Sequence, residues 1–192
     1  MPKVFWAALL TATVGLTCVA SSVAQQLDDI GVKTAFVYNF VQFVDWPLSE
    51  LQPAQPLRIC SFGDRPIASR LASLSGRLVK GHRIEVETVF EQVAANSCHV
   101  LFVSAVDTDR LPDITVRGQG SGVLYIAEES GLGSAEAVIV LAVSDNRVVF
   151  DINRDQAASQ GLTISSKLLG LARRVFGGDS VAIGTDATGQ VN

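Results

Sequence analysis

The chain has little with which to do chemistry. Two histidines, three cysteines and one methionine stand in 192 residues. A metal centre needs three or four convergent ligands, and neither His82 nor His99 stands in a ligand-pair spacing. There is no Gly-x-Ser-x-Gly elbow and no Cys-x-x-Cys pair. Basic residues are outnumbered, 15 against 19 acidic, for a formal charge of −4. Nucleic acid needs a clustered basic face, so it is a poor fit as partner. Beyond the N-terminus no apolar run reaches membrane-spanning length, since Val100–Val103 and Ala137–Val143 are only strand-length. These absences leave no catalytic residue, metal ligand or cofactor to assign, and the chain is read as a non-enzyme that does not itself span a membrane.

What is present begins with an export signal. Met1-Pro2-Lys3 is followed by an apolar run from Val4 to Ala20 and the small-x-small end Ser22-Val23-Ala24. Residues 1–24 are expected to be a signal peptide, 25–176 one α/β domain and 177–192 a flexible tail. Cleavage after Ala24 removes Lys3 and Cys18, making the product one unit more negative and leaving Cys60 and Cys98. In an oxidising compartment two cysteines are most simply one disulfide, with two buried thiols or a redox pair as alternatives. Closing a loop of that span stabilises a fold by about 3–4 kcal/mol in the chain-entropy account.

The pattern along the chain alternates. Leu27–Trp46 reads as a helix whose apolar face holds Phe36, Val37, Phe40, Val41, Phe43 and Val44. Thr34, Asn39, Gln42 and Asp45 form the polar arc, and Pro47 stops the helix. Tyr38 lies within that arc and Trp46 at its edge; bulky aromatics on a wet face mark a partner contact, or are covered by neighbouring loops. After a Pro-rich linker (Pro47–Pro56), strands are expected at Leu57–Phe62, His82–Val89, Cys98–Ser104, Gly122–Ala127, Ala137–Val143 and Val148–Ile152. Helices are expected at Ile67–Leu74, Phe90–Ala95, Asn153–Ser159 and Ser165–Phe176, with Leu111–Gly122 ambiguous. Ser144-Asp145-Asn146 suits a hairpin turn. The whole predicts an α/β fold, a single layered domain whose mixed β-sheet is flanked by helices.

Few local arrangements suggest binding. Gly118–Gly122 superficially resembles a phosphate loop but precedes a strand instead of a helix. His99 beside Cys98 invites a nucleophile reading, yet neighbours on a strand face opposite ways. The turn Gly63-Asp64-Arg65-Pro66 joins strand to helix, where α/β folds bind small ligands, and Arg65 is the candidate for an anion. At Val149–Arg154 strand turns to helix, with Asp151 and Asn153 on one face and Asn153 placed to cap the helix. In the last helix Leu168, Leu171, Ala172 and Val175 make an apolar seam, and Arg173 and Arg174 suit the negative end of its dipole.

Several ordered blocks resemble one family. Val32-Lys33-Thr34-Ala35-Phe36-Val37-Tyr38-Asn39-Phe40 and Phe43-Val44-Asp45-Trp46-Pro47 look like the opening of the YfiR-like periplasmic proteins. Arg58-Ile59-Cys60, Gly63-Asp64, Gly81-His82-Arg83-Ile84 and Cys98-His99-Val100-Leu101-Phe102-Val103 continue the likeness. Phe150-Asp151-Ile152-Asn153, the run Gly161–Leu169 and Leu171-Ala172-Arg173-Arg174-Val175 close it. The resemblance implies a periplasmic repressor that binds the periplasmic domain of a membrane diguanylate cyclase, lowering cyclic di-GMP and biofilm formation. It also implies a homodimer and a disulfide at Cys60–Cys98. Tyr38, Trp46, Asp151 and Asn153 are the candidate partner contacts. The alternative is a periplasmic small-molecule binding module with no cyclase partner. Where relatives carry a glycine pair before the late strand, this chain has Gly133-Ser134-Ala135-Glu136-Ala137.

Overall fold

A computed structural model describes residues 19–63, 65–91, 97–117, 120, 122–130 and 133–178, with side chains from Asp29 onward except those of 116–117. The first 18 residues of the expected signal peptide, most of Phe90–Ala95, most of the Gly118–Gly122 loop, Asp64 and the tail beyond residue 178 lie outside the described residues.

Four buried runs build the middle of the sheet: β2 (Leu57–Phe62), β5 (Val100–Val103), β6 (Leu124–Glu128) and β7 (Ile139–Ser144). All four residues of β5 are buried, as expected of a central parallel strand covered on both faces. With β3 (Leu78–Val79), β4 (His82–Val89), β8 (Arg147–Asn153) and β10 (Arg174–Phe176) they form one sheet of order β10-β8-β7-β6-β5-β2-β4-β3. Pairing is parallel except for β7 with β8 and β3 with β4, so the sheet is mixed, as the sequence predicts. The β7–β8 hairpin turns on Asp145 (φ 49) and Asn146 (φ 60), both in the left-handed region that a two-residue turn requires.

Strand alternation divides the apolar residues between two cores. Leu57, Ile59, Val100, Phe102, Leu124 and Ile126 face one side; Cys60, Phe62, Leu101, Val103, Tyr125 and Ala127 face the other. Helix α1 (Val19–Phe43) and helix α2 (Pro66–Ala72) cover the first side. Helix α3 (Leu111–Arg117), which settles the ambiguous segment, covers the second with Leu111 and Ile114. The apolar face read for α1 is the buried one: Val37, Phe40 and Val41 are fully buried, and Phe36 and Phe40 meet Phe150 edge-on at 5.6 and 5.0 Å. Such pairs add about 0.5–1.5 kcal/mol each beyond burial. Thr34, expected on the polar arc, is buried, and its hydroxyl donates to Ile30 O at 2.9 Å.

Two expected helices are corrected. The first stops at Phe43, because Val44 and Asp45 (β1) pair antiparallel with Ile164 and Thr163 (β9). The last shrinks to α5 (Ser166–Leu169), capped by the Ser165 hydroxyl, and the chain then extends into β10 along β8. The helical seam is not a buried line: Leu168 is buried, while Leu171 and Val175 are exposed. Helix α4 (Arg154–Ser159) lies where expected, and Gly161 (φ 69) ends it with a Cβ position only 3.2 Å from Pro47.

Candidate functional site

Cys60 lies inside β2 and Cys98 just before β5; both are buried and joined as a disulfide, with Cα atoms 6.0 Å apart. The bond staples two parallel neighbours within the second core. It also removes the nucleophile reading of Cys98.

His99 is a structural tie. Its Nδ1 accepts from the Arg58 backbone N–H at 3.0 Å, which leaves Nε2–H to donate to Glu50 O at 3.1 Å. Burial lowers its pKa below the usual 6.5. Trp46 joins this knot, its indole N–H donating to His99 O at 3.3 Å. It therefore stands beyond the helix, half-buried against the core, and not on a wet helical edge as expected. The knot pins the loop after residue 46 to the ends of β2 and β5 where those strands begin.

At the opposite ends of the strands is the topological switch point. The chain leaves β2 to one side for β4 and returns to its other side as β5, the place where open α/β sheets hold ligands. A crevice of about 370 Å³ opens there, lined by Asp29, Lys33, Arg65, Ser104, Ala105 and Glu128 among others. Both of its cations are already engaged. Arg65 donates Nε and Nη2 to the two carboxylate oxygens of Asp107 at 2.7 and 2.8 Å, and Lys33 Nζ donates to Glu128 at 2.6 Å. An anion reaching Arg65 has to displace Asp107.

At the sheet edge Asp151 is 3 % exposed, and Arg173 and Arg174 both donate to it. These hydrogen bonds, above all those from Arg173, hold its carboxyl at about 2 despite burial. Arg173 also reaches Glu129 at 3.3 Å. The two arginines thus neutralise a buried carboxylate, where the sequence had suggested a helix-dipole role. Asn153 caps α4, accepting from the N–H groups of Asp155 and Gln156 at 3.1 Å each. Its amide donates to Ala135 O at 3.2 Å, inside the segment where the chain departs from the family's glycine pair. Gln156 braces the same segment through Glu136 at 2.9 Å.

Tyr38, another of the four expected contacts, borders a surface groove. It is half-buried between α1 and the chain after α2, with the Arg77 guanidinium 4.4 Å from its ring centroid. The structure therefore does not gather the four into one cluster: Tyr38 lies on the α1 side, Trp46 in the His99 knot, and Asp151 and Asn153 on β8. Sequence reasoning missed Arg58, Glu50 and Asp107 as partners of these groups; backbone N–H and C=O groups and distant carboxylates leave no local signal. Among the described residues no cluster of three or more His, Cys, Asp or Glu is arranged to hold a metal, and no helix is long and apolar enough to cross a membrane.

Fold and site together define an α/β domain with a disulfide-stapled core and a switch-point crevice bordered by the Lys33–Glu128 and Arg65–Asp107 ion pairs. Residues 31–173 match the YfiR/HmsC-like family, and the chain belongs to it. Among solved structures, one described as the ABC domain in complex with L-Trp from Streptococcus pneumonia is similar at 11% identity and a TM-score of 0.43. The overlap takes in 62% of this chain and 55% of that one, about half its length. It is too partial to bear on the site.

Proposed function

We propose that this chain is a periplasmic regulator that binds the periplasmic domain of an inner-membrane diguanylate cyclase and holds the enzyme off. The family match over residues 31–173 carries the reading. Two features support a regulatory role over a catalytic one. The crevice cations Lys33 and Arg65 are paired with Glu128 and Asp107, and His99 is fixed between backbone groups. Residues 1–24 direct export, the oxidising periplasm keeps Cys60 and Cys98 joined, and the regulator acts as a homodimer. Of the expected contacts, Tyr38 meets the partner directly. Trp46, Asp151 and Asn153 act from beneath the surface by holding a loop, two arginines and a helix cap.

The test is a titration of the oxidised mature protein against the periplasmic domain of each membrane diguanylate cyclase of the host. Saturable binding to one of them is expected; binding to none contradicts the proposal. The place of the crevice at the switch point favours one second reading, a small-molecule sensor that opens the Arg65–Asp107 pair. Thermal stabilisation by a screened metabolite that is lost in Arg65→Ala, with no cyclase bound, is its signature.

A further inference from the structure

The first face of the sheet carries the groove that Tyr38 borders. It runs between α1 and the α2 segment, encloses about 420 Å³, and is floored by Gly31, Thr34 and Ala35. These small side chains leave a channel that larger ones would fill. Tyr38 forms one wall, and Arg70 and Arg77 stand on the other side. No carboxylate lines the groove, and among the described residues neither arginine is in an ion pair. Glu85 and Glu87 on β4 pair in register with Arg58 and Cys60 and face the opposite side of the sheet. Two exposed guanidiniums beside an aromatic wall, on a protein of net charge −4, form a positive site. By contrast Lys33, Arg65, Lys80, Arg173 and Arg174 are each paired with a carboxylate of Glu128, Asp107, Asp45, Glu129 or Asp151.

We propose that this α1–α2 groove is the docking site for an acidic segment of the partner protein, whose carboxylates meet Arg70 and Arg77 while an apolar side chain packs on Tyr38. Guanidinium groups favour this chemistry because their planar forks match carboxylates two-point, and Arg77 is already oriented by its stacking on the ring. The inference rests on the regulatory reading for the partner's identity and adds where, and by what charge, it is held.

The test places a photo-cross-linking amino acid at Ser73, on the groove, in the full-length protein in cells. Irradiation is expected to capture a protein peptide rich in Asp and Glu. The double reversal Arg70→Glu/Arg77→Glu is expected to cut the yield about tenfold, because opposed charges across an interface become like charges. Its melting temperature should match that of the wild type, and Arg70→Lys/Arg77→Lys should retain most of the capture. Cross-linking that ignores the reversal, that reaches only lipid or a second copy of this chain, or that does not occur overturns the docking site. An arginine-dependent cross-link to a protein other than a cyclase keeps the groove and overturns the regulatory reading. Normal repression by the double reversal in cells that respond to the gene overturns the groove alone.

Discussion

Asp151 and Arg173 form a two-point ion pair at the edge of the sheet. Arg173 donates Nε to Oδ1 at 2.9 Å and Nη2 to Oδ2 at 2.7 Å, and the carboxylate is almost wholly shielded from water. The pair links β8 to the turn that leads into β10, so it fixes the short strand that closes this side of the sheet. A carboxyl held at about 2 against an ordinary 3.8 contributes about 2 kcal/mol of stability. The folded pKa is the depressed one. The contribution is therefore complete above roughly pH 4 and is lost as pH falls from there towards about 2. Asp151→Ala should cost about 2 kcal/mol at pH 7, since it removes the paired carboxylate and leaves two arginines that reach solvent. Urea titrations at pH 7 and pH 2.5 check this: the gap between wild type and variant should narrow at the lower pH.

His99 sets a second acid sensitivity, in a different window. Burial holds the folded imidazole neutral below its usual 6.5, so the unfolded chain binds more protons as pH drops under that value. Stability should be flat above about pH 7 and fall as pH moves from 6.5 towards the lowered folded value. His99→Gln should lose the slope in this window and be less stable at pH 8, since the ties to Arg58 and Glu50 go with the ring. Trp46 offers the readout. In a protein cleaved after Ala24, as proposed, it is the sole tryptophan, and it donates directly to His99 O.

The Cys60–Cys98 bond closes a separation of 38 residues between buried positions. Native oxidised protein should show no thiol to a maleimide label, even at high reagent. Cys60→Ala/Cys98→Ala should lower stability by about 4 kcal/mol in the chain-entropy account. Denaturation midpoints of the two proteins, with and without reductant, measure the difference.

Asn146 sits at φ 60 in the β7–β8 turn. Asn146→Gly should leave the melting temperature unchanged or raise it slightly. Asn146→Val should lower stability by about 1–2 kcal/mol, because a β-branched side chain is strained in the left-handed region. Thermal melts of the two variants at pH 8 separate this from both acid effects.

The sequence was informative where a residue's own neighbours decide its state. The alternation of Arg83, Glu85 and Glu87 with Ile84 and Val86 marks a strand with one covered face, and β4 occupies those bounds. Asn153 before Arg154 reads as a cap and is one. The pattern misled where a partner distant in sequence decides. Leu168, Leu171, Ala172 and Val175 have helical spacing, yet Asp151, 22 residues before Arg173, draws the chain into a strand. Val44 and Asp45 continue a helical pattern but are taken by Thr163 and Ile164. Strands of two or three residues have no periodicity of their own; their stability lies in the edge they join. The Arg65–Asp107 pair was hidden for the same reason, as its halves stand 42 residues apart.

The central claim is repression of a cyclase, and cellular cyclic di-GMP measures it most directly. The level is compared in the parent strain, a strain deleted for this gene, and the deleted strain with the gene restored. The account predicts a rise on deletion that the restored gene reverses. An unchanged level in all three strains would contradict it.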